Sequence, residues 1–303
     1  METIRPCGCK GIRSCLLCER EYNIVKPNLT DYFQKCSSYV YCPDCDLAWP
    51  GWDADLYKTH PDHQGTPIEF PGVYIKLDFL TSCETDSLVS ALEEIPWETS
   101  QSGRRKQNFG PKCNFKKKKF QLGSFNGFPK STQFVQQKFS ELPILEDYRT
   151  VEQCTLEYDP ARGASIDPHI DDCWIWGERI VTVNVLGNSV LTMSPYLGPD
   201  TKYNLKSVPE YSITLKFDIE NKYEENENIV VRLPMPEGSL MVLYGIARYK
   251  WEHSVLREDI KSKRICLAYR ELTPPYLSNS RSNEEIKELL NRASIFRGNA
   301  TVI

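Results

Sequence analysis

The chain has 303 residues, 40% hydrophobic and 26% charged, the balance of a soluble globular protein with one large domain or one domain and a small appendage. Apolar runs such as 180–186 and 240–244 are too short to span a bilayer, so a membrane protein is excluded. The net charge of −4 hides an asymmetry: eight basic residues and no acid lie between Ser100 and Phe120, which leaves −12 on the remainder.

In chain order, residues 1–65 stand apart. Seven cysteines fall in the first 45 positions, no period is visible, and Pro, Asp and Gly are frequent from 43 to 67. This reads as a small Cys-rich module and a loop-rich lead-in, with regular structure starting near Phe70. The first residues lack the apolar stretch of a signal peptide, so a cytoplasmic and nuclear location with reduced thiols is expected. A strand is expected at 72–80. Thr81-Ser-Cys-Glu84 has the pattern of a capping box opening a helix, with Leu88, Leu92 and Ile95 on one face and Pro96 ending it. The basic strip 100–120 is a poor helix or core strand and reads as a surface flap. A second helix is expected at 131–142.

From Val151 onward short β-type runs recur at 153–158, 180–186, 190–193, 212–217, 229–233, 240–244, 251–256 and 264–270. The acidic stretch 218–228 reads as a hairpin tip, and 283–293 as a closing helix with Ile286, Leu289 and Leu290 as its apolar stripe. Many short strands without intervening helices predict a mainly β sandwich or jelly roll with flanking helices, over residues 66–303.

Two short motifs carry chemistry. In His169-Ile-Asp171, residues two apart in extended chain point to one side and can meet one ion. His253 follows in a later strand. Two histidines and a carboxylate make a facial triad that leaves three coordination positions open, as non-haem iron oxygenases require. Alone, His-x-Asp is weak, because a turn carboxylate beside a satisfied histidine is the commoner case. The strand Arg264-Ile-Cys-Leu-Ala-Tyr-Arg270 strengthens it. Arg264 and Arg270 share one face with only Cys266 and Ala268 between them, and such a face suits a dicarboxylate.

The order His-x-Asp, His, Arg-x5-Arg resembles the AlkB-like branch of the Fe(II)- and 2-oxoglutarate-dependent dioxygenases, from about Phe70 to Thr273. Tyr158-Asp-Pro resembles the family tyrosine that contacts the co-substrate. The family asparagine two residues earlier is Leu156 here, with Thr155 as a candidate substitute. Cys7-Gly-Cys-Lys-Gly-Ile-Arg-Ser-Cys-Leu-Leu-Cys18, Ser100-Gln-Ser-Gly-Arg-Arg-Lys-Gln and Asp167-Pro-His-Ile-Asp-Asp-Cys-Trp-Ile-Trp-Gly-Glu-Arg resemble the fourth-homologue subfamily. The resemblance implies a double-stranded β-helix core, Fe(II), 2-oxoglutarate and O2 as cofactors, and oxidative demethylation with release of formaldehyde and succinate. It also implies a methylated protein lysine as substrate, on actin or an associated protein with an acidic surface. A methyladenine or alkylated base in nucleic acid is the alternative, and a non-catalytic zinc-knuckle binding module a third reading. A monomer is expected.

Cys7, Cys9, Cys15 and Cys18 form a C-x-C-x5-C-x2-C set suited to one tetrahedral zinc. Cys42-Pro-Asp-Cys45 with Cys36, His60 and His63 either makes a second site, lends ligands to the first, or is plain turn chemistry. Within the strip, Arg104, Arg105 and Lys106 are expected in a substrate lid, a place the family resemblance implies for this segment.

Overall fold

The computed structural model describes residues 5–219, 228–278, 283–298 and 302. The capping box forms as the sequence predicts: Thr81 Oγ1 accepts the Glu84 N–H at 3.3 Å, and a Glu84 carboxylate oxygen accepts the Thr81 N–H at 2.8 Å. Such a cap is worth about 1 kcal/mol. It opens the helix Ser82–Glu93, which buries Leu88 and Leu92. Each buried leucine contributes roughly 1.5–3 kcal/mol.

Those leucines pack on the outer face of a seven-stranded sheet. Its strand order is Val73–Lys76, Leu240–Leu243, Trp176–Leu186, Arg264–Leu272, Glu152–Tyr158, Arg105–Phe109 and Glu98–Thr99. The helix Gln133–Phe139 adds Val135 and Phe139 to the same layer, against Val181, Val183, Leu267 and Tyr269. A second seven-stranded sheet runs Ile166–His169, Trp251–Val255, Ser189–Pro195, Ile229–Met235, Ser37–Cys42, Leu47–Pro50 and Ile68–Glu69. The inner faces of both sheets share one core, with Met193, Val231 and Leu233 from one and Tyr158, Trp176 and Cys266 from the other. This is the jelly roll, and the site lies on its inner faces.

Several sequence expectations are corrected. Regular structure does not wait for Phe70: Ser37–Cys42 pairs in parallel with Ile229–Met235, and Leu47–Pro50 joins it antiparallel. Tyr-Val-Tyr at 39–41 is β-type sequence hidden among cysteines and turn residues. Within the basic strip, Arg105–Phe109 is a strand of the main sheet, with Gln107 and Phe109 fully buried. Gln107 is tolerated there because its amide donates to the Leu92 and Ile95 carbonyls at the end of the capped helix. The flap is confined to the hairpin Lys112–Asn114/Lys119–Gln121. The run 212–217 is not a strand but a short 3-10 turn, Ser212–Thr214. The expected helix at 131–142 is shorter, and most of the expected hairpin tip at 218–228 (220–227) lies outside the described residues. The closing helix is Glu284–Arg292, capped by Asn283 and burying Ile286 and Leu289. No helix among the described residues is long and apolar enough to cross a membrane.

Candidate active site

His169 ends the strand Ile166–His169, and antiparallel pairing sets it opposite His253 in Trp251–Val255. The ring centroids are 4.2 Å apart. His169 Nδ1 lies 2.9 Å from the Asp167 carbonyl oxygen, which can only accept, so Nδ1 carries the proton and Nε2 keeps a lone pair. Burial pushes the pKa of both imidazoles down, with His169 adding to the effect on His253. Both are therefore neutral donors at pH 7.

Asp171 is buried, 7% exposed. Its Oδ1 accepts from Arg270 Nη2 at 2.9 Å, while Oδ2 is buried without a hydrogen-bond partner. Burial favours the protonated acid, but positive charge nearby, that of Arg270 foremost, outweighs it and holds this carboxyl well below the usual carboxylate range. A buried anionic oxygen left without a partner costs about 1–3 kcal/mol or more, and a cation is what it lacks. The ligand atoms of His169, Asp171 and His253 are not among the sets that close to within 4.8 Å, and Asp171 Oδ1 leans on Arg270. Neighbouring Asp172 is engaged elsewhere: Oδ1 accepts the Trp174 N–H at 2.9 Å, and Oδ2 accepts from Asn204 Nδ2 at 2.8 Å.

The backbone that carries Asp171 is clamped by Arg248, which the sequence reading missed. This buried guanidinium donates to the carbonyls of Asp171 (2.9 Å), Trp176 (3.1 Å) and Gly177 (3.2 Å). No local pattern marks an arginine in the short helix Gly245–Tyr249 for that role.

Arg264 is 1% exposed. Its Nε donates to Asn184 Oδ1 at 2.8 Å, Nη2 reaches Met235 Sδ at 3.6 Å, and Nη1 has no partner. The Tyr158 ring lies beneath the guanidinium, 4.8 Å to the ring centroid, directly across the strand pair. Among the described residues no acid pairs with Arg264. A buried guanidinium in that state fits one carboxylate of a ligand.

Arg270, six residues along on the same face, divides its fork between Asp171 and Glu152 and keeps Nε unpartnered. It thus ties Asp171 to the sheet. Glu152 was not foreseen; it lies directly opposite Arg270, and burial pushes its pKa up against the pull of that arginine.

Thr155 cannot stand in for the family asparagine. It pairs with Leu267, whose side chain belongs to the helix-side core, so Thr155 faces away from the site. Asn184, another residue missed from sequence, supplies an amide on the site side. It faces Cys266 across the pairing and spends its NH2 on the carbonyls of Gly187, Met235 and Pro236. Gly187 makes the turn that presents one of these carbonyls; its φ of +72° and a Lys263 oxygen 2.5 Å from where a Cβ would sit require glycine.

The expected lid trio separates. Arg105 points to the outer face, where it shares buried Glu157 with Arg162, so its placement in a lid is corrected. Lys106 pairs across from Leu156 on the inner side, and Arg104 lies 5.9 Å from the Tyr158 ring centroid.

Outside this site, among the described residues, two sets of ligand atoms each gather within 4.8 Å: Cys7, Cys9, Cys15 and Cys18, and Cys42, Cys45, His60 and His63. Cys36 belongs to neither and packs with Phe33.

No family model matches the chain. Full-length relatives do. The chain is 39% identical over 296 residues to the "Alpha-ketoglutarate-dependent dioxygenase alkB homolog 4" of Mus musculus, covering 97% of this chain and 96% of that protein. To the Homo sapiens protein of the same name it is 37% identical over 310 residues, covering 98% and 96%. To the "DNA N6-methyl adenine demethylase" of Caenorhabditis elegans it is 30% identical over 281 residues, covering 88% and 87%. The chain therefore belongs to the AlkB family of iron- and 2-oxoglutarate-dependent dioxygenases.

Proposed function

We propose that the chain is an oxidative N-demethylase that holds Fe(II) through His169, Asp171 and His253 and anchors 2-oxoglutarate through Arg264, acting on methylated lysine of a protein with an acidic surface. The observation that carries the site assignment is the pair of unmet buried charges. Asp171 Oδ2 lacks a cation and Arg264 Nη1 lacks an acceptor; Arg264 lies in the strand Arg264–Leu272, and Asp171, just past the strand Ile166–His169, is tied by Arg270 to the far end of Arg264–Leu272. Iron and 2-oxoglutarate bound there supply, with O2, hydroxylation of an N-methyl group, which leaves as formaldehyde while the co-substrate leaves as succinate and CO2. The chain's own residues position these groups. Asn184 and Tyr158 hold the Arg264 guanidinium in plane, and Arg270 and Arg248 hold Asp171 from its side chain and its backbone. The buried sheet faces exclude water.

Charge distribution supports a protein substrate. With Arg105 and Lys106 set beside Glu157 and Glu98, the exposed cations of the strip are Lys112, Lys116, Lys117 and Lys119, all on the one hairpin. A compact patch on an otherwise acidic chain suits an acidic patch on a folded partner more than a long phosphate track. The second reading is a methyladenine in nucleic acid, favoured by the Caenorhabditis elegans relative named for that activity. Formaldehyde release, measured side by side on methyl-lysine peptides, folded methylated protein and N6-methyladenine oligonucleotides, tests the choice. A higher rate on the oligonucleotide at physiological salt overturns the lysine reading.

Zinc at Cys7, Cys9, Cys15 and Cys18 is part of the same proposal. The four thiols converge, and Cys9, Cys15 and Cys18 are buried in a segment with little other core.

A further inference from the structure

We propose a second structural zinc site, formed by Cys42, Cys45, His60 and His63, that pins residues 51–67 to the edge of the jelly roll. Cys42 ends the strand Ser37–Cys42, and its hairpin partner is Leu47, so Pro43 to Asp46 form the turn. Burial pushes the Cys42 thiol up to about 11, and the backbone N–H groups of Asp44 and Cys45, directed at its Sγ, work against that rise. His60 and His63 arrive on the far side of the 3-10 turn Ala54–Thr59, and Cys42 Sγ lies 3.8 Å from His60 Nδ1. A tetrahedral zinc with bonds of about 2.3 Å to sulfur and 2.0 Å to nitrogen has ligand-to-ligand edges of about 3.3–3.8 Å. The Cys42–His60 pair already stands at that spacing, and all four ligand atoms lie within 4.8 Å of one another.

The surroundings orient the ligands. His63 stacks on Trp49 with centroids 4.7 Å apart, and its Nδ1 is 3.0 Å from Thr59 Oγ1. Its other nitrogen, Nε2, is buried with no partner. Trp49 Nε1 donates to Cys45 Sγ at 3.4 Å, as a second layer does for a metal thiolate. All twelve cysteines are free thiols, so no disulfide competes for Cys42 or Cys45.

The segment also needs a staple. Between Gly51 and Thr66 only Tyr57 is buried, and the 3-10 turn is the regular structure it has. Trp52, under the Arg232 guanidinium at 4.0 Å to the ring centroid, and Tyr57 pack its first half, while residues 58–66 bury no side chain. The site is separate from the proposed iron centre: Ser37–Cys42 is three strands from Trp251–Val255, or about 14 Å across the sheet. It is therefore a fastener and not part of the reaction.

Zinc counted in the full chain, freed of iron, tests this. Two zinc ions per chain are expected. Cys45→Ser and His63→Ala should each fall to one, and residues 51–67 should become a site of limited proteolysis. Cys45→His and His63→Cys keep a ligand in place and should return the count to two, which separates metal loss from misfolding. A count that stays unchanged in both Cys45→Ser and His63→Ala, or is not restored by the ligand-preserving variants, overturns the proposal. The amino-terminal knuckle is distinguished by Cys15→Ser: one zinc lost there and none in the Cys45 and His63 variants supports the knuckle and sinks the second site, while the reverse pattern does the opposite.

Discussion

Asn184 Oδ1 accepts from Arg264 Nε at 2.8 Å, and the same asparagine is locked by the backbone carbonyls of Gly187, in the turn that follows its strand, and of Met235 and Pro236, at the end of the strand Ile229–Met235. The direction of the Arg264 fork is therefore set by a residue eighty positions earlier. Asn184→Ala frees it. Hydrogen bonds to charged groups are worth about 1.5–3 kcal/mol, so the 2-oxoglutarate concentration for half-maximal succinate production should rise about ten- to hundredfold. Arg264→Leu should raise it further, at roughly 2–5 kcal/mol. Iron content should be unchanged in both. An unaltered co-substrate requirement in Arg264→Leu contradicts the assignment.

Arg105 and Glu157 make a stability prediction. Burial raises the Glu157 pKa, but Arg105 and Arg162 outweigh it and lower it to about 2, from 4.5 when free. The folded value lies below the unfolded one, so the contribution is full above pH 5 and is lost as pH falls toward 2. Denaturant titrations of wild type and Glu157→Gln should differ by roughly 1–3 kcal/mol at pH 6, the two arginines being about one-third exposed, and converge near pH 2. Arg105→Ala should show the same loss of stability with little effect on substrate KM. A large KM effect would return Arg105 to the lid.

The contrast shows what was legible in the sequence. Strand alternation identified the main strands after Val151, and His-x-Asp with Arg-x5-Arg identified the inward face, because both are local patterns with period two. The capping box identified the helix it opens. Strand Arg105–Phe109 was hidden because four of its five residues are polar, and its partners, Glu157 and the Leu92 and Ile95 carbonyls, are distant in sequence. Asn184 and Arg248 were missed for the same reason: each is defined by what it bonds across the fold. The Cys42 set stayed open between three readings because His60 and His63 meet Cys42 and Cys45 only when the chain folds.

The amino-terminal knuckle leans on the site. Cys9 Sγ accepts from the backbone N–H groups of Ser102 and Gly103, Gly8 packs on Thr99 and Ser100, and Lys26 reaches Asp167 at 3.1 Å on the strand that ends in His169. Cys15→Ser should release one zinc and loosen residues 99–104, which carry Arg104. Succinate production without substrate should persist, while turnover of a methylated substrate falls several-fold. Hydrogen exchange over 99–104 that is unchanged after zinc loss contradicts this coupling.

Hairpin lysines test the partner. Changing Lys116, Lys117 and Lys119 to Gln should weaken turnover of a folded methylated protein and leave a short methyl-lysine peptide almost unaffected, since charge at a rim acts mainly on encounter. Substrate-free succinate production should hold. Equal loss on peptide and protein would place these lysines in catalysis instead.

Iron content of three variants, reconstituted without oxygen, tests the central assignment most directly. Wild type should bind about one Fe(II) per chain, because Asp171 Oδ2 and two neutral imidazoles offer three donors. Asp171→Ala and His253→Ala should bind almost none and produce no succinate. Asp172→Ala should keep its iron, because its carboxylate is occupied by the Trp174 N–H and Asn204. Iron retained by Asp171→Ala and lost from Asp172→Ala would contradict the account.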